Sequence, residues 1–242
     1  MNQTKILALI LAAGKGTRMK SNIPKCLNPV FQKPILSWLI DAFSKNDIDL
    51  GIIINPLDKK YYLQYKDKVK FIYQNEPLGT GHAVQQAKKE INQYDQVFVF
   101  VGDSPFINHN ILKKMLIDHE LNFSDCTILT SLFNEKKFPY ARVIRTNGRI
   151  SRIVEEKNAS ETELESIELF GSHYLFRANI LLKFLDLLKP DKDNNEIYLT
   201  EILNHLIIKN KRINSLIIKD WRKLIGLNTK EDISWIESQK II

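Results

Sequence analysis

The sequence predicts an α/β protein built on a mixed, mainly parallel sheet, and three observations predict it. Over residues 6–133 short apolar runs alternate with amphipathic segments, the rhythm of βαβ units with right-handed crossovers. Several of these runs stop abruptly at Gly, Asn or Asp, as buried strands do where they open onto a ligand-binding rim. After Phe133 the rhythm breaks, and Asn147-Gly148 sits between two short runs, the mark of a β-hairpin.

Each element follows from local chemistry. Residues 6–11 form a buried strand that runs into a Gly-rich turn. Apolar spacing gives a helix over 34–43, with Pro34 in its first turn. A second strand over 50–54 is stopped by Asn55-Pro56. A short helix over 59–65, a strand over 69–73, a loop over 74–81 and a helix over 82–91 follow. The run V-F-V-F-V over 97–101 is a strand leading straight into Gly102-Asp103. A helix over 110–121 and a strand over 126–133 complete the alternating part. The hairpin then pairs 141–145 with 149–155. A strand over 168–176, helices over 179–188 and 198–208, and a strand over 213–218 come next. A closing helix over 229–238 has Thr229 as its N-cap. In a parallel sheet the loops after Leu11, Tyr73 and Val101 share one rim. No linker or repeat divides the chain, so 1–242 reads as a single domain with halves of about 1–135 and 136–242.

Composition narrows the function. The chain has 242 residues, 44% of them hydrophobic, enough for a sizeable core. Its net charge is +7, and the opening segment carries Lys5, Lys15, Arg18, Lys20, Lys25 and Lys33 before the first acid, Asp41. Beyond it the charges are mixed and no basic-aromatic stripe occurs, which speaks against nucleic acid as a partner. Cys26 and Cys126 make neither a disulfide framework nor a metal spacing. A reducing cytoplasm fits. The start of the chain lacks a signal-peptide layout, and no apolar run approaches the roughly 18 residues of a membrane span. The expectation is a cytoplasmic protein without a membrane partner, a monomer or small homo-oligomer.

The chemistry concentrates on the rim. Ala12, Ala13, Gly14 and Gly16 let backbone N–H groups approach a ligand, and Arg18 and Lys25 add cations beside them. The turn reads as a polyphosphate seat or as an ordinary strand-to-loop connection. It is not a P-loop, because Gly14-Lys15 is followed by Gly16, nor a dinucleotide fingerprint, whose third Gly is here Met19. Asp103, at a strand end, suits Mg²⁺ against a triphosphate or caps the turn before Ser104-Pro105. Asn228 is a second oxygen ligand or a helix cap. Glu155, Glu156 and Lys157 are a solvated strand end, or an acid gripping sugar hydroxyls beside a phosphate-pairing lysine. His82 reads as structural, and His109, His119, His173 and His205 have no metal spacing. Asp47-x-Asp49 and Asp191-x-Asp193 lack the setting of a metal-binding D-x-D and read as surface.

These residues carry a resemblance. L-A-A-G-K-G-T-R-M-K-S from Leu11, Pro24-Lys25, L-G-T-G-H-A from Leu78, Gly102-Asp103, I-V-E-E-K from Ile153, I-Y-L-T-E-I from Ile197 and G-L-N from Gly226 resemble the nucleotidyltransferases that make nucleotide sugars. Within that superfamily the chain resembles the uridyltransferase half of the bacterial bifunctional N-acetylglucosamine-1-phosphate uridyltransferase/acetyltransferase. The resemblance implies a Rossmann-like, three-layer nucleotide-diphospho-sugar transferase fold with a small sugar-binding β lobe. It implies an NTP-binding first half and a sugar-phosphate-binding second half. The backbone of Leu11, Ala12, Ala13 and Gly14 would hold base and ribose; Gly16, Thr17 and Arg18 would face the β and γ phosphates. Lys25 would contact phosphate at the reacting centre, and Gln74, Gly79 and Thr80 would read uracil. Asp103 and Asn228 would ligate Mg²⁺, Glu155 would bind the sugar, Lys157 matches a lysine of the same loop, and Ala141 would supply a backbone contact to the sugar.

Two departures stand out. The family's Tyr-Gly-Arg is Tyr140-Ala141-Arg142, and its Asn-x-Gly falls on Phe170-Gly171-Ser172. No hexapeptide repeats precede Ile242, so uridyltransfer without acetyltransfer is expected. The implied reaction joins an NTP, UTP by preference, to N-acetylglucosamine-1-phosphate or a related hexose phosphate, releasing pyrophosphate. The rivals are a cytidylyl- or guanylyltransferase with another acceptor, and a catalytically silent sugar-nucleotide-binding subunit.

Overall fold

The structure is a computed structural model describing residues 4–46, 48–133 and 138–239. The first half places β1 (Ile6–Leu11), the small hairpin β2 (Pro29–Val30) and β3 (Lys33–Pro34), α1 (Ile35–Ser44), β4 (Asp49–Ile54), α2 (Lys59–Tyr62), β5 (Lys70–Tyr73), α3 (Thr80–Gln85), α4 (Lys88–Ile91), β6 (Gln96–Val101), α5 (His109–Leu121) and β7 (Cys126–Leu132). The second adds β8 (Ala141–Thr146), β9 (Arg149–Val154), α6 (Glu161–Leu164), β10 (Glu168–Arg177), α7 (Ala178–Leu185), α8 (Glu201–Ile208), β11 (Ile213–Ile217) and α9 (Lys230–Ser238).

Nine strands make one sheet in the order β11-β7-β10-β6-β1-β4-β5, with the β8–β9 hairpin attached through β8 to β10. Strands β6, β1, β4 and β5 run parallel, as do β11 and β7. β10 is antiparallel to β6 on one side and to β7 on the other. β10 thus lies between β6 and β7, which are neighbours among the strands in sequence but not in the sheet. Helices cover both faces. Phe43, Phe98 and Phe100 pack edge to face at 5.3–5.7 Å on one side, and Phe170, Tyr174 and Phe176 lie in the core of the other. These apolar layers contribute the bulk of the burial that stabilises the fold.

Most predicted elements form with ends shifted by a residue or two. Asn147 and Gly148 both take the left-handed backbone region, at φ 51° and 76°, as a two-residue hairpin turn requires. Three expectations change. The helix predicted over 59–65 is α2 followed by a 3₁₀ turn, Leu63–Tyr65. The helix predicted over 82–91 is divided into α3 and α4, and it starts earlier, at Thr80. The helix predicted over 198–208 begins only at Glu201. Asp47 lies outside the described residues; Asp49 accepts a hydrogen bond from the Tyr94 hydroxyl at 2.9 Å.

Candidate active site

The Gly-rich turn is held flat against the sheet. The Ala12 N–H donates to the Ile53 carbonyl at 2.8 Å, extending the β1–β4 ladder past the end of β1. Gly16 takes φ +56°, and a Cβ there would lie 2.6 Å from the Cβ of Lys25. Glycine is therefore required for Lys25 to come this close. Two 3₁₀ turns follow, Thr17–Met19 and Lys25–Leu27, anchored by buried Met19, Cys26 and Leu27. Burial pushes the Cys26 thiol up to about 11, so it stays protonated. Its Sγ lies 3.0 Å from the Tyr62 hydroxyl, which donates to the Ala12 carbonyl at 3.3 Å. This buried string ties the Lys25 turn to the turn after β1.

Asp103 is set from three sides. The Gly102 N–H donates to the Leu11 carbonyl at 2.9 Å. The Asp103 carbonyl accepts from Leu227 at 2.9 Å, and a Cβ on Gly226 would lie 2.9 Å from Asp103 Oδ1. The Tyr140 hydroxyl accepts the Gly226 N–H at 2.9 Å. Behind the site, burial pushes the His173 imidazole down to about 4, keeping it uncharged against the Phe100 ring.

The start of α9 delivers Asn228. Thr229 caps the helix as predicted: its Oγ1 accepts from Asp232 N–H, and Asp232 Oδ2 accepts from the backbone N–H of Asn228 and Thr229, all at 3.0 Å. With capping done by Thr229, the Asn228 side chain turns elsewhere. Its Oδ1 accepts from Lys25 Nζ at 2.7 Å and from Arg18 Nη2 at 2.8 Å. Lys25 also makes an ion pair with Asp103, both side chains less than a fifth exposed. Residues 18, 25, 103 and 228, from four separate segments, thus form one contiguous cluster.

The cluster forms one wall of a cavity of about 510 Å³. Leu11, Ala12, Ala13, Gly14, Gly16 and Thr17 line it from the turn, and Gln74, Gly79 and Thr80 line it from the loop after β5. Lys15, Cys26 and Glu196 also line it and were not singled out from the sequence; Glu196 comes from a distant loop, which no local pattern reveals. The loop at 78–81 is stitched to the second half. Ile197 N–H donates to the Leu78 carbonyl and Gly81 N–H to the Ile197 carbonyl, both at 2.8 Å. Leu199 N–H donates to Thr80 Oγ1 at 3.0 Å. Gly79 has φ +99°, and a Cβ there would meet the Ile197 carbonyl oxygen at 2.6 Å.

The expected acceptor residues lie apart from this lining. Ala141 is buried in β8 opposite Phe170 of β10. Glu155 is half-buried and accepts from Thr200 Oγ1 at 2.6 Å; burial holds its carboxyl above the usual range. Thr200 falls within the I-Y-L-T-E-I motif but was not singled out. Lys157 pairs with Asp191 at 2.9 Å and sits 4.8 Å from the Tyr198 ring centroid. Where the family's Asn-x-Gly was expected, β10 bulges between Phe170 and Tyr174, with Ser172 at φ 63°. Phe170 turns into the core, its ring edge-on to Tyr174 at 4.8 Å.

Among the described residues no group of three or more His, Cys, Asp and Glu gathers as a metal cluster. The Asp103 and Asn228 oxygens nevertheless suit a hard cation, since both already bond one cationic nitrogen, Lys25 Nζ. Among the described residues no helix is long and apolar enough to cross a membrane.

Comparison with known proteins agrees with this fold. The model of the MobA-like NTP transferase domain matches residues 8–188. The chain is 36% identical to the bifunctional protein GlmU of Acholeplasma laidlawii over 239 residues, 96% of this chain and 51% of that protein. It is 34% identical to GlmU of Thermotoga petrophila over 233 residues, again 96% and 51%. The chain thus spans about half the length of the curated relatives it matches. A Bacillus anthracis crystal structure described as a glucose-1-phosphate thymidylyltransferase in complex with sucrose superposes with a TM-score of 0.76, covering 97% of this chain and 94% of that one. At 18% identity that likeness concerns the fold. A cationic Gly-rich turn facing a strand-end aspartate, on a sheet of this topology and with these relatives, leads to one assignment: the chain belongs to the MobA-like NTP transferase domain family.

Proposed function

We propose that the chain is a sugar-1-phosphate nucleotidyltransferase, most at home with UTP and N-acetylglucosamine-1-phosphate or a related hexose phosphate. The observation that carries this reading is the convergence of Arg18, Lys25, Asp103 and Asn228 on the cavity that the Gly-rich turn lines. A phosphate oxygen of the sugar-1-phosphate attacks the α-phosphorus of the NTP in line. The new P–O bond forms as the bond to the β-phosphate oxygen breaks, and pyrophosphate leaves with the electron pair. No covalent enzyme intermediate is needed, so the protein contributes position and charge.

The backbone of Leu11 to Gly14 seats base and ribose, and Gln74, Gly79 and Thr80 read the uracil edge. The Gly16–Thr17 backbone and Arg18 face the departing phosphates. Lys25 stands closest to the reacting phosphate, where its ammonium offsets the charge that builds in the transition state. Asp103 and Asn228 would hold Mg²⁺, which supplies charge neutralisation and orientation to the phosphates. Asp103 and Asn228 also fix the Lys25 ammonium by hydrogen bonds, so the cation is aimed before substrate arrives. On the acceptor side Glu155 grips sugar hydroxyls, with the Ala141 backbone and Lys157 beside it.

A pyrophosphate-release assay crossing four NTPs with a panel of sugar-1-phosphates tests this. UTP with a hexosamine or hexose phosphate should turn over, and Asp103→Ala should abolish it. Near wild-type turnover by Asp103→Ala would sink the proposal.

A further inference from the structure

We infer that His82 is a positioning residue that sets nucleobase choice by fixing which end of the Gln74 amide meets the base; the inference rests on the uridine reading above. Gln74 is a buried cavity-lining residue directly after β5. Its backbone N–H donates to the Ile54 carbonyl at 2.9 Å, which fixes the start of the side chain. A Gln amide offers an acceptor and a donor of nearly the same shape, so a base-reading Gln is specific only if it cannot turn over.

Two contacts stop it turning. Nε2 donates to the Gly79 carbonyl at 3.1 Å, and the same nitrogen lies 3.0 Å from His82 Nδ1. A carbonyl only accepts, so the amide end facing Gly79 is the NH₂. One N–H is spent there, and the other points at the imidazole. His82 Nδ1 then accepts, which puts the ring proton on Nε2; that nitrogen lies 3.1 Å from Gln86 Nε2, and the exposed Gln86 side chain is free to turn over and present its oxygen, whereas buried Gln74 is not. With both N–H groups taken, Oε1 is the amide atom left for the cavity.

An acceptor at that place is complementary to the N3–H of an imide, as in uracil. It is repelled by cytosine, whose N3 is an acceptor. Turning the amide over would set oxygen against the Gly79 carbonyl oxygen and would require the His82 ring proton to move to Nδ1. The Gly79 carbonyl therefore selects the amide orientation, and His82, accepting the second N–H, holds it without touching the nucleotide. It sits in the first turn of α3, and Gly79 at φ +99° places its carbonyl on the same nitrogen. This gives the histidine of L-G-T-G-H-A a task.

The test uses the purified full chain and reads kcat/KM for UTP and for CTP with one accepted sugar-1-phosphate. His82→Phe keeps a ring and removes the acceptor; His82→Asn keeps an acceptor near the Nδ1 position and removes the ring. The wild type should prefer UTP. His82→Phe should lower the UTP-to-CTP ratio by about tenfold or more, and His82→Asn should hold it within about threefold, the scale of one directed hydrogen bond. A merely structural role would lower both substrates together and leave the ratio unchanged. A wild-type ratio of one or less overturns the uridine reading itself. A wild-type UTP preference that persists in His82→Phe overturns the inference alone. The ¹⁵N shifts of the His82 ring in the wild type give an answer free of any variant's folding: an unprotonated Nδ1 supports the assignment, and a protonated Nδ1 overturns it.

Discussion

The two sides of the rim are built differently. On the nucleotide side, short segments ending β1, β5 and β6 converge because parallel strands deliver their C-terminal ends to one edge. Their side chains are few and charged, and the glycines between them let backbones approach. On the proposed acceptor side, the antiparallel β8–β9 hairpin, β10 and the loops beside them hold residues already occupied with one another: Ala141 against Phe170, Glu155 with Thr200, Lys157 with Asp191. The proposed nucleotide side is set by backbone geometry, whereas the proposed acceptor side is set by side-chain packing. The two departures from the pattern the sequence resembles, Ala141 and Phe170, both fall on that second side.

Three changes would break or sharpen this contrast. The largest effect is expected at Lys25. Lys25→Ala should reduce kcat by about 10²–10³-fold, the scale of removing one preorganised charge donor, in steady-state pyrophosphate release. A loss under tenfold would mean that charge is not what the nucleotide side contributes. Gly79→Ala comes next, placing a Cβ 2.6 Å from the Ile197 carbonyl oxygen at a φ that side chains avoid. It should lower stability by about 1–3 kcal/mol in urea unfolding, and unchanged stability would show that the seam at 78–81 yields.

The smallest effect is expected at Glu155, and it changes sign with purpose. Burial raises its pKa in the folded chain above the unfolded value, so the folded state binds the proton more tightly. Stability linked to this group is fully present below the unfolded pKa and is lost as pH rises through the folded pKa. Glu155→Gln keeps an oxygen for the Thr200 hydroxyl and carries no charge. Its melting temperature should therefore gain on the wild type as pH rises from the ordinary carboxylate range toward neutrality, while KM for the sugar phosphate rises and KM for UTP does not. A melting difference that stays flat with pH would remove burial as the cause.

Much of this was readable in the letters. The turn after β1, the strand end at Asp103, the Asn147-Gly148 hairpin and the Thr229 cap are each decided within a few residues, where side-chain size and backbone preference act directly. The position of β10 between β6 and β7 was not readable, because strand order depends on pairings far apart in sequence. Nor was the β2–β3 hairpin, whose turn puts Phe31 and Gln32 at φ 47° and 61° without a glycine or asparagine to announce it. α6 was announced and overlooked: Ser160 and Glu163 form a capping box. For the site, the Gly-rich turn, Arg18, Lys25 and Asp103 came from loop chemistry and Gln74, Gly79 and Thr80 from the resemblance, whereas Thr200 and Glu196 reach their places through long-range seams. The turning of Phe170 into the core follows from a bulge that no short pattern specifies.

The placement of β10 has a consequence for how the chain is made. The ribosome releases the polypeptide from its amino end, so β6 and β7 have both been synthesised by Leu132 while both strands that pair with β7, β10 and β11, are still to come. The backbone edges that β10 will bridge stay open until Arg177 has left the exit tunnel, some 45 residues later by the numbering of those two strands. The Gly-rich turn after β1 precedes all of these strands in synthesis, but the sheet beneath it is completed only after β10 has emerged. A nascent chain halted between Leu132 and Arg177 therefore leaves the β6 and β7 edges that β10 covers without their partner.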